Sequence, residues 1–280
     1  YGQVNYNGQN FRGFVAVSNF QDDYFVDMGF NTRLLNYNPE TDELVRIGYT
    51  NIASMLNYYI YPEDSKSVNF HWSGLENFGF LNTDGSGIEW YTRLRHFIFF
   101  KNTSQLRFRL NNNYLDLVFP FAITDPFLPV GSYNMTELNV QYNSDNRKMF
   151  GYELFAVYGQ FFNGNKLTIQ ADLDYRIQPW GNFSVGLEHN EIWFPNPYED
   201  VSLTLAVARA EINFTRNLFW TTFFQYNTQN ETFNINSRFQ WRYAPMSDIF
   251  LVYTDNYDVA NMFGPKTRSF VLKVNYWFTL

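Results

Sequence analysis

Along residues 167–177 apolar and polar side chains alternate without a break. Leu167, Ile169, Ala171, Leu173, Tyr175 and Ile177 occupy odd positions, and Thr168, Gln170, Asp172, Asp174 and Arg176 the even ones. Successive side chains of an extended chain point to opposite faces, so this period of two predicts a strand with one oily and one wet face. Residues 233–243 repeat it, with Phe233, Ile235, Ser237, Phe239, Trp241 and Tyr243 set against Asn234, Asn236, Arg238, Gln240 and Arg242. The stretch 269–280 alternates again, from Phe270, Leu272 and Val274 to Tyr276, Phe278 and Leu280. Segments 88–100 and 106–114 place Glu89, Arg93, Arg95, Arg107 and Arg109 on their polar side.

Alternation and turn residues together predict strands near 1–8, 11–19, 44–60, 67–82, 86–101, 103–117, 132–144, 148–162, 165–178, 182–194, 201–214, 217–229, 231–244, 247–257 and 268–280. A soluble antiparallel sandwich also alternates. Three features favour a membrane wall instead. The strands run to ~10–14 residues against the ~5–6 of ordinary sheets, which suits a tilted crossing of a bilayer. Aromatic residues recur near the ends of the oily faces, as in Trp241 and Tyr243 or Tyr276 and Phe278, like an interfacial girdle. The polar faces carry charges of both signs. The expected fold class is therefore all-β, a transmembrane antiparallel up-and-down β-barrel of about 14–16 strands, with residues 1–280 forming one barrel domain.

Link lengths orient the strands, because such barrels join them by short periplasmic turns and longer extracellular loops. The links around residues 244, 216, 180, 146 and 103 (APMS, TRN, PWG, SDNR, NTS) are short, while 20–43, 118–131, 195–200 and 258–267 are longer. The last strand then ends in the periplasm. Since bacterial single-chain barrels have even strand numbers, an odd count asks for at least one strand before Tyr1, and the 280 residues are expected to be the C-terminal portion of a longer barrel.

Composition agrees with this picture. Phe, Tyr and Trp make up 21% of the chain, and these residues favour pleated strands and membrane interfaces. The longest apolar runs, such as HFIFF at 96–100, fall far short of the ~18–20 residues of a transmembrane helix. With no cysteine, disulfide scaffolds and zinc ribbons are excluded. A net charge of −7 with scattered basic residues excludes nucleic acid as a partner. Tyr1 is followed by no charged and apolar leader pattern.

Candidate chemistry is sparse. His71, His96 and His189 lie on separate predicted strands, and no HExxH, GxSxG, P-loop or dinucleotide-binding glycine pattern is present. His189 with Glu188 and Glu191 is the one compact acid and histidine group, and its strand frame turns Glu188 toward the lumen and His189 outward. No enzymatic activity, catalytic residue, metal or cofactor is expected. The lumen-facing charges are the candidate pore or plug contacts: Arg93, Arg95, Arg107 and Arg109 early in the chain, Glu137, Glu153, Asp172 and Asp174 later, with Arg176, Arg238 and Arg242. Segregated charges of this kind either set up a transverse field that orients polar solutes or pair across the lumen and fill it. Acidic loop residues (Asp22 and Asp23; Glu40, Asp42 and Glu43; Glu199 and Asp200; Asp255 and Asp258) have Ca2+-ligand chemistry, with plain solvated loops as the simpler reading. The loop FPFAITDPFLPV, with Pro120, Pro126 and Pro129, is too apolar to lie free in water and is expected either to pack or to form a contact surface.

The stretch NLFWTTFFQYNTQNETFNINSRFQWRYAPMSDIFLVYTDNYD at 217–258, followed by RSFVLKVNYWFTL at 268–280, resembles the end of an uncharacterised Bacteroidota outer-membrane family. FLPVGSYNMTELNVQYNSDNRK and the YFVDMGF stretch at 24–30 fit the same pattern in order. Members of that family join an N-terminal β-sandwich, similar to family 9 carbohydrate-binding modules, to a C-terminal barrel. The resemblance implies a bacterial outer-membrane location, with membrane lipid, the barrel-assembly machinery and proteins of a surface complex as partners. It implies a scaffold, anchor or subunit, or alternatively a pore for polar solutes such as oligosaccharides. Because no sandwich is read in these residues, glycan binding is not carried over.

Overall fold

A computed structural model of the chain describes residues 1–25, 31–38, 41–83, 85, 87–260 and 263–278. Glu40, Leu280 and most of the YFVDMGF stretch lie outside the described residues. The strands are β1 (Gly2–Asn7), β2 (Phe11–Phe20), β3 (Leu35–Asn38), β4 (Glu43–Arg46), β5 (Tyr49–Ile60), β6 (Val68–Leu81), β7 (Gly87–Phe100), β8 (Gln105–Leu117), β9 (Gly131–Asn143), β10 (Phe150–Phe161), β11 (Gly164–Ile177), β12 (Gly181–Trp193), β13 (Val201–Thr215), β14 (Leu218–Asn227), β15 (Thr232–Ala244), β16 (Ser247–Asp258) and β17 (Gly264–Val274). Among the described residues fifteen of these form one antiparallel sheet in which each strand lies beside its neighbours in sequence, in the order β1, β2, then β5 to β17. The remaining two, β3 and β4, pair only with each other, Leu35 opposite Arg46.

Two boundaries differ from expectation. Residues 44–46 were expected at the head of the strand at 44–60, but they belong to the separate β3–β4 hairpin, and β5 starts at Tyr49. The last strand, expected over 268–280, instead runs from Gly264 to Val274. Its partner is the reason: Ile249 pairs with Val274, Asp248 and Asn275 exchange backbone hydrogen bonds of 3.1 and 2.8 Å, and β16 begins at Ser247. Alternation continues past Asn275, but no ladder is left to pair with it.

The chain divides into two compact units: residues 1–142 with 156–167 and 191–201, and residues 143–155 with 168–190 and 202–280. In the first unit the register places Asn57, Gly74, Arg95 and Arg109 side by side on one face and Leu56, Leu75, Leu94 and Leu110 on the other. The charged face is the more buried. Glu76 and Asn111 are 7% and 2% exposed, whereas Leu94 and Leu110 are 51% and 45% exposed. Exposed Leu56, Tyr58, Ile60 and Phe108 share the apolar face. The second unit is built the same way: Thr168 is buried on the face of Asp172, while Ile169, Leu173, Tyr175, Val185 and Leu187 are exposed on the other. A sheltered polar face and an exposed apolar face invert the usual arrangement of a domain in water.

The links pack differently. Leu128, Ile192 and Phe194 form a buried apolar cluster over which Ile123, Phe161, Phe162, Tyr198 and Val201 close. Of the proline-rich loop at 118–131, Thr124 and Leu128 are buried here, while Val118, Phe121, Phe127 and Val130 stay exposed, so the loop both packs and presents an apolar surface. Thr124 Oγ1 donates to the Glu199 carbonyl (2.8 Å) and accepts from the Glu199 N–H (3.1 Å), and Leu128 and Phe121 exchange backbone bonds. Two glycines allow close strand approach. A Cβ at Gly159 would lie 2.3 Å from the Thr136 carbonyl oxygen, and one at Gly164 2.2 Å from that of Trp193.

Candidate functional site

The four arginines of β7 and β8 share one face, and Arg95 lies directly opposite Arg109. Like charges in facing positions repel, so their neighbours must compensate. Glu76 on β6 does so for two of them, accepting from Arg93 (3.4 Å) and at closer range from Arg95. Arg95 reaches further, donating to Asn57 Oδ1 at 2.6 Å, and Trp72 Nε1 donates to the same oxygen at 2.8 Å. The Arg95 guanidinium lies 4.3 Å from the centre of the Trp72 ring, and those of Arg107 and Arg109 lie 5.5 and 5.1 Å from that of Phe97. Aromatic faces of this kind stabilise a guanidinium that has left water.

The network then crosses two more strands. Arg93 Nε donates to Asn111 Oδ1 (3.0 Å), Asn111 Nδ2 to Glu137 (2.8 Å), and Arg109 to Gln141 (2.8 Å). Five strands, β5 to β9, are thus tied by side chains as well as by their backbone ladder. The Arg95 and Glu76 side chains are only 8% and 9% exposed. In the absence of each other, charges so far removed from water would cost several kcal/mol.

Of the lumen candidates, Arg93, Arg95, Arg107, Arg109 and Glu137 meet in this network. The others lie in the second unit. Glu153, Asp172 and Asp174 line a cavity of about 450 Å3 together with Gln170, Ser184 and Glu188. Asp172 accepts from Gln170 (2.7 Å), Glu188 from Asn190 (2.9 Å), and Asn143 donates to Glu153. Arg176 donates to the carbonyls of Asn146 and Lys148 in the β9–β10 link and lines a smaller cavity, of about 290 Å3, with Glu153 and Asp174. There Asp145 pairs with Arg147, and this hydrogen bond raises the Arg147 pKa. Arg242 sits 3.4 Å from Asp248, and Arg238 is exposed in mid-strand.

A second cavity, of about 720 Å3, opens beside the β3–β4 hairpin and is lined by Arg33, Tyr37, Tyr49, Glu89, Asp116 and Phe119 among others. Arg33 pairs with Glu89 at 2.6 Å while its guanidinium lies 3.4 Å from the Phe80 ring centre. Tyr37 donates to Asp42, which raises the phenol's pKa.

The acid and histidine group at 188–191 does not converge. Glu188 and Asn190 bond on one face, and His189 contacts Thr204 Oγ1 (2.9 Å) on the other. Carboxylates of the links hold backbone: Asp22 accepts from the Gly48 N–H, Asp200 from that of Phe194 and Asp258 from that of Ala260. Asp255, one of the acids expected in a surface loop, lies inside β16, fully buried beneath Tyr253, Tyr257 and Arg268. Among the described residues no group of three or more His, Asp or Glu is placed to hold a metal ion. Two histidines that looked separate in sequence, His71 and His96, do meet. The signal that joins them is the register between β6 and β7, which spacing along the chain does not carry.

Comparison of the chain with family models, curated proteins and solved structures returns no match.

Proposed function

We propose that this chain forms the wall of an outer-membrane β-barrel that serves as a scaffold, anchor or subunit of a cell-surface complex. One observation carries the reading. Along strand after strand the exposed face is apolar and the sheltered face is charged or amidic, with Leu94 at 51% and Leu110 at 45% exposed beside Glu76 at 7%. Water does not support such a surface, because each large apolar side chain moved into an apolar phase gains ~1.5–3 kcal/mol. Hydrocarbon supports it when every backbone polar group is paired, and the fifteen-stranded up-and-down sheet would meet that demand as part of a closed barrel.

The choice of scaffold over pore rests on the arginine network. Glu76 pairs with Arg93 and Arg95 while Arg107 and Arg109 donate to the amides of Gln105 and Gln141, the pattern of a lumen packed by side chains. The decisive test has two parts. Expressed behind a bacterial export signal, the protein should be recovered in the outer-membrane fraction and resist alkaline extraction; release as a soluble protein would refute the membrane reading. In planar bilayers it should leave the current at the empty-bilayer level, whereas stepwise conductance would favour the pore for polar solutes.

A further inference from the structure

His71 and His96 lie on the apolar face of β6 and β7, where Ser73 is the register partner of His96 and Ile98 that of His71. Nδ1 of His71 is 3.3 Å from Nε2 of His96, and Nδ1 of His96 is 2.9 Å from Ser73 Oγ. The ring centres are 5.3 Å apart and the planes inclined by 31°, so the rings diverge from their two close nitrogens and do not stack. Two strands hold this geometry, since the histidines are diagonal neighbours on a paired ladder with three strand residues separating His71 from the start of β6. Around them the same face carries Ile60, Ile98, Leu106 and Phe108.

The serine decides which nitrogens are available. When Nδ1–H of His96 donates to Ser73 Oγ, Nε2 carries the lone pair, 3.3 Å from Nδ1 of His71. A metal-bound histidine characteristically donates its second ring N–H to such an outer partner, which fixes the tautomer and the ring's direction. The spacing also fits. Zinc-to-nitrogen bonds of ~2.0–2.1 Å at a tetrahedral angle place two ligating nitrogens ~3.3–3.4 Å apart. We propose that His71 and His96 chelate a borderline divalent cation of the zinc and copper class, with Ser73 as the positioning residue and the remaining coordination positions open to water or an anion. Imidazole donors select these ions over Mg2+ and Ca2+, which prefer oxygen. The site requires only the pairing of β6 with β7, and on the membrane reading it lies toward the strand ends at Val68 and Phe100, at the interface where water reaches the wall.

Purified protein without a polyhistidine tag, titrated with Cu2+ and read by electron paramagnetic resonance, tests it. The expected spectrum shows two imidazole nitrogens on one bound ion. His71→Ala and His96→Ala should each reduce this to one nitrogen, and the double variant should abolish it. Ser73→Ala should weaken Zn2+ binding by about tenfold, and His189→Ala should change nothing. Equal binding by the wild type and the double variant would overturn the proposal. So would a wild-type spectrum lacking a two-nitrogen signature, a result that needs no variant to fold. Far-UV circular dichroism checks that each variant keeps its strands.

Discussion

Glu76 is the residue whose loss should be felt most, because two guanidiniums depend on it. With Arg95 only 8% exposed, Glu76→Gln leaves a buried cation with amide partners alone. A destabilisation of ~3 kcal/mol follows from the usual cost of breaking a buried pair. Urea unfolding in detergent should show it as a lower midpoint with an unchanged slope; a shift below ~0.5 kcal/mol, the scale of a surface substitution, would mean that the pair is solvated. Gly159→Ala is a different kind of test, since the new methyl would meet backbone at 2.3 Å on β9, where no flexible side chain can yield. Parity along β7 and β8 made the four arginines legible as one group. Glu76 was not, because in HWSGLENFGF neither face is clean: Trp72, Gly74, Glu76 and Phe78 alternate with His71, Ser73, Leu75 and Asn77. The His71–His96 pair escaped for a related reason. Neighbours across a ladder are set by register, and register is set by the whole hairpin.

Among the elements, the strands of the large sheet were legible because each carries its own period, and the links were less so. The β3–β4 hairpin is four residues to a strand, too short for alternation to register; its first strand was read as part of the loop at 20–43 and most of its second as the head of the strand at 44–60. The loop at 118–130 announced its apolar character, yet its partner, the link at 194–200, lies some seventy residues further on, and nothing local joins Thr124 to Glu199. That clasp yields an expectation of its own. Leu128→Ala, at a position with no exposed surface, should cost ~2–5 kcal/mol as an unfilled cavity, and Thr124→Ala ~1 kcal/mol for its hydrogen bonds. Limited proteolysis is the appropriate measurement, with cleavage expected to appear within 118–130 and 194–200 while the strands stay protected. Loss of strand protection in step with the loops would instead tie the clasp to the stability of the sheet.

At the scale of the molecule, the proposed membrane wall makes two adjacent residues behave as opposites. Leu173 and Asp174 follow one another on β11, both exposed, and the pleat turns Leu173 to the face of Ile169 and Tyr175 and Asp174 to that of Gln170 and Asp172. If the apolar face meets lipid, Leu173→Arg carries a charge into hydrocarbon, which at the midplane of a transmembrane barrel costs ~2–4 kcal/mol. Asp174→Arg meets only the polar side and should cost less than ~1 kcal/mol, as substitutions in a wet interior do. In water neither substitution would be costly, since Leu173→Arg adds a solvated charge to an exposed position and Asp174→Arg sets a cation beside the carboxylates of Asp172 and Glu153. Folding of both variants from denaturant into vesicles therefore separates the two environments within a single strand. Equal yields, or a lower yield for Asp174→Arg, would remove the lipid from the apolar face and with it the reason for reading this sheet as a membrane wall.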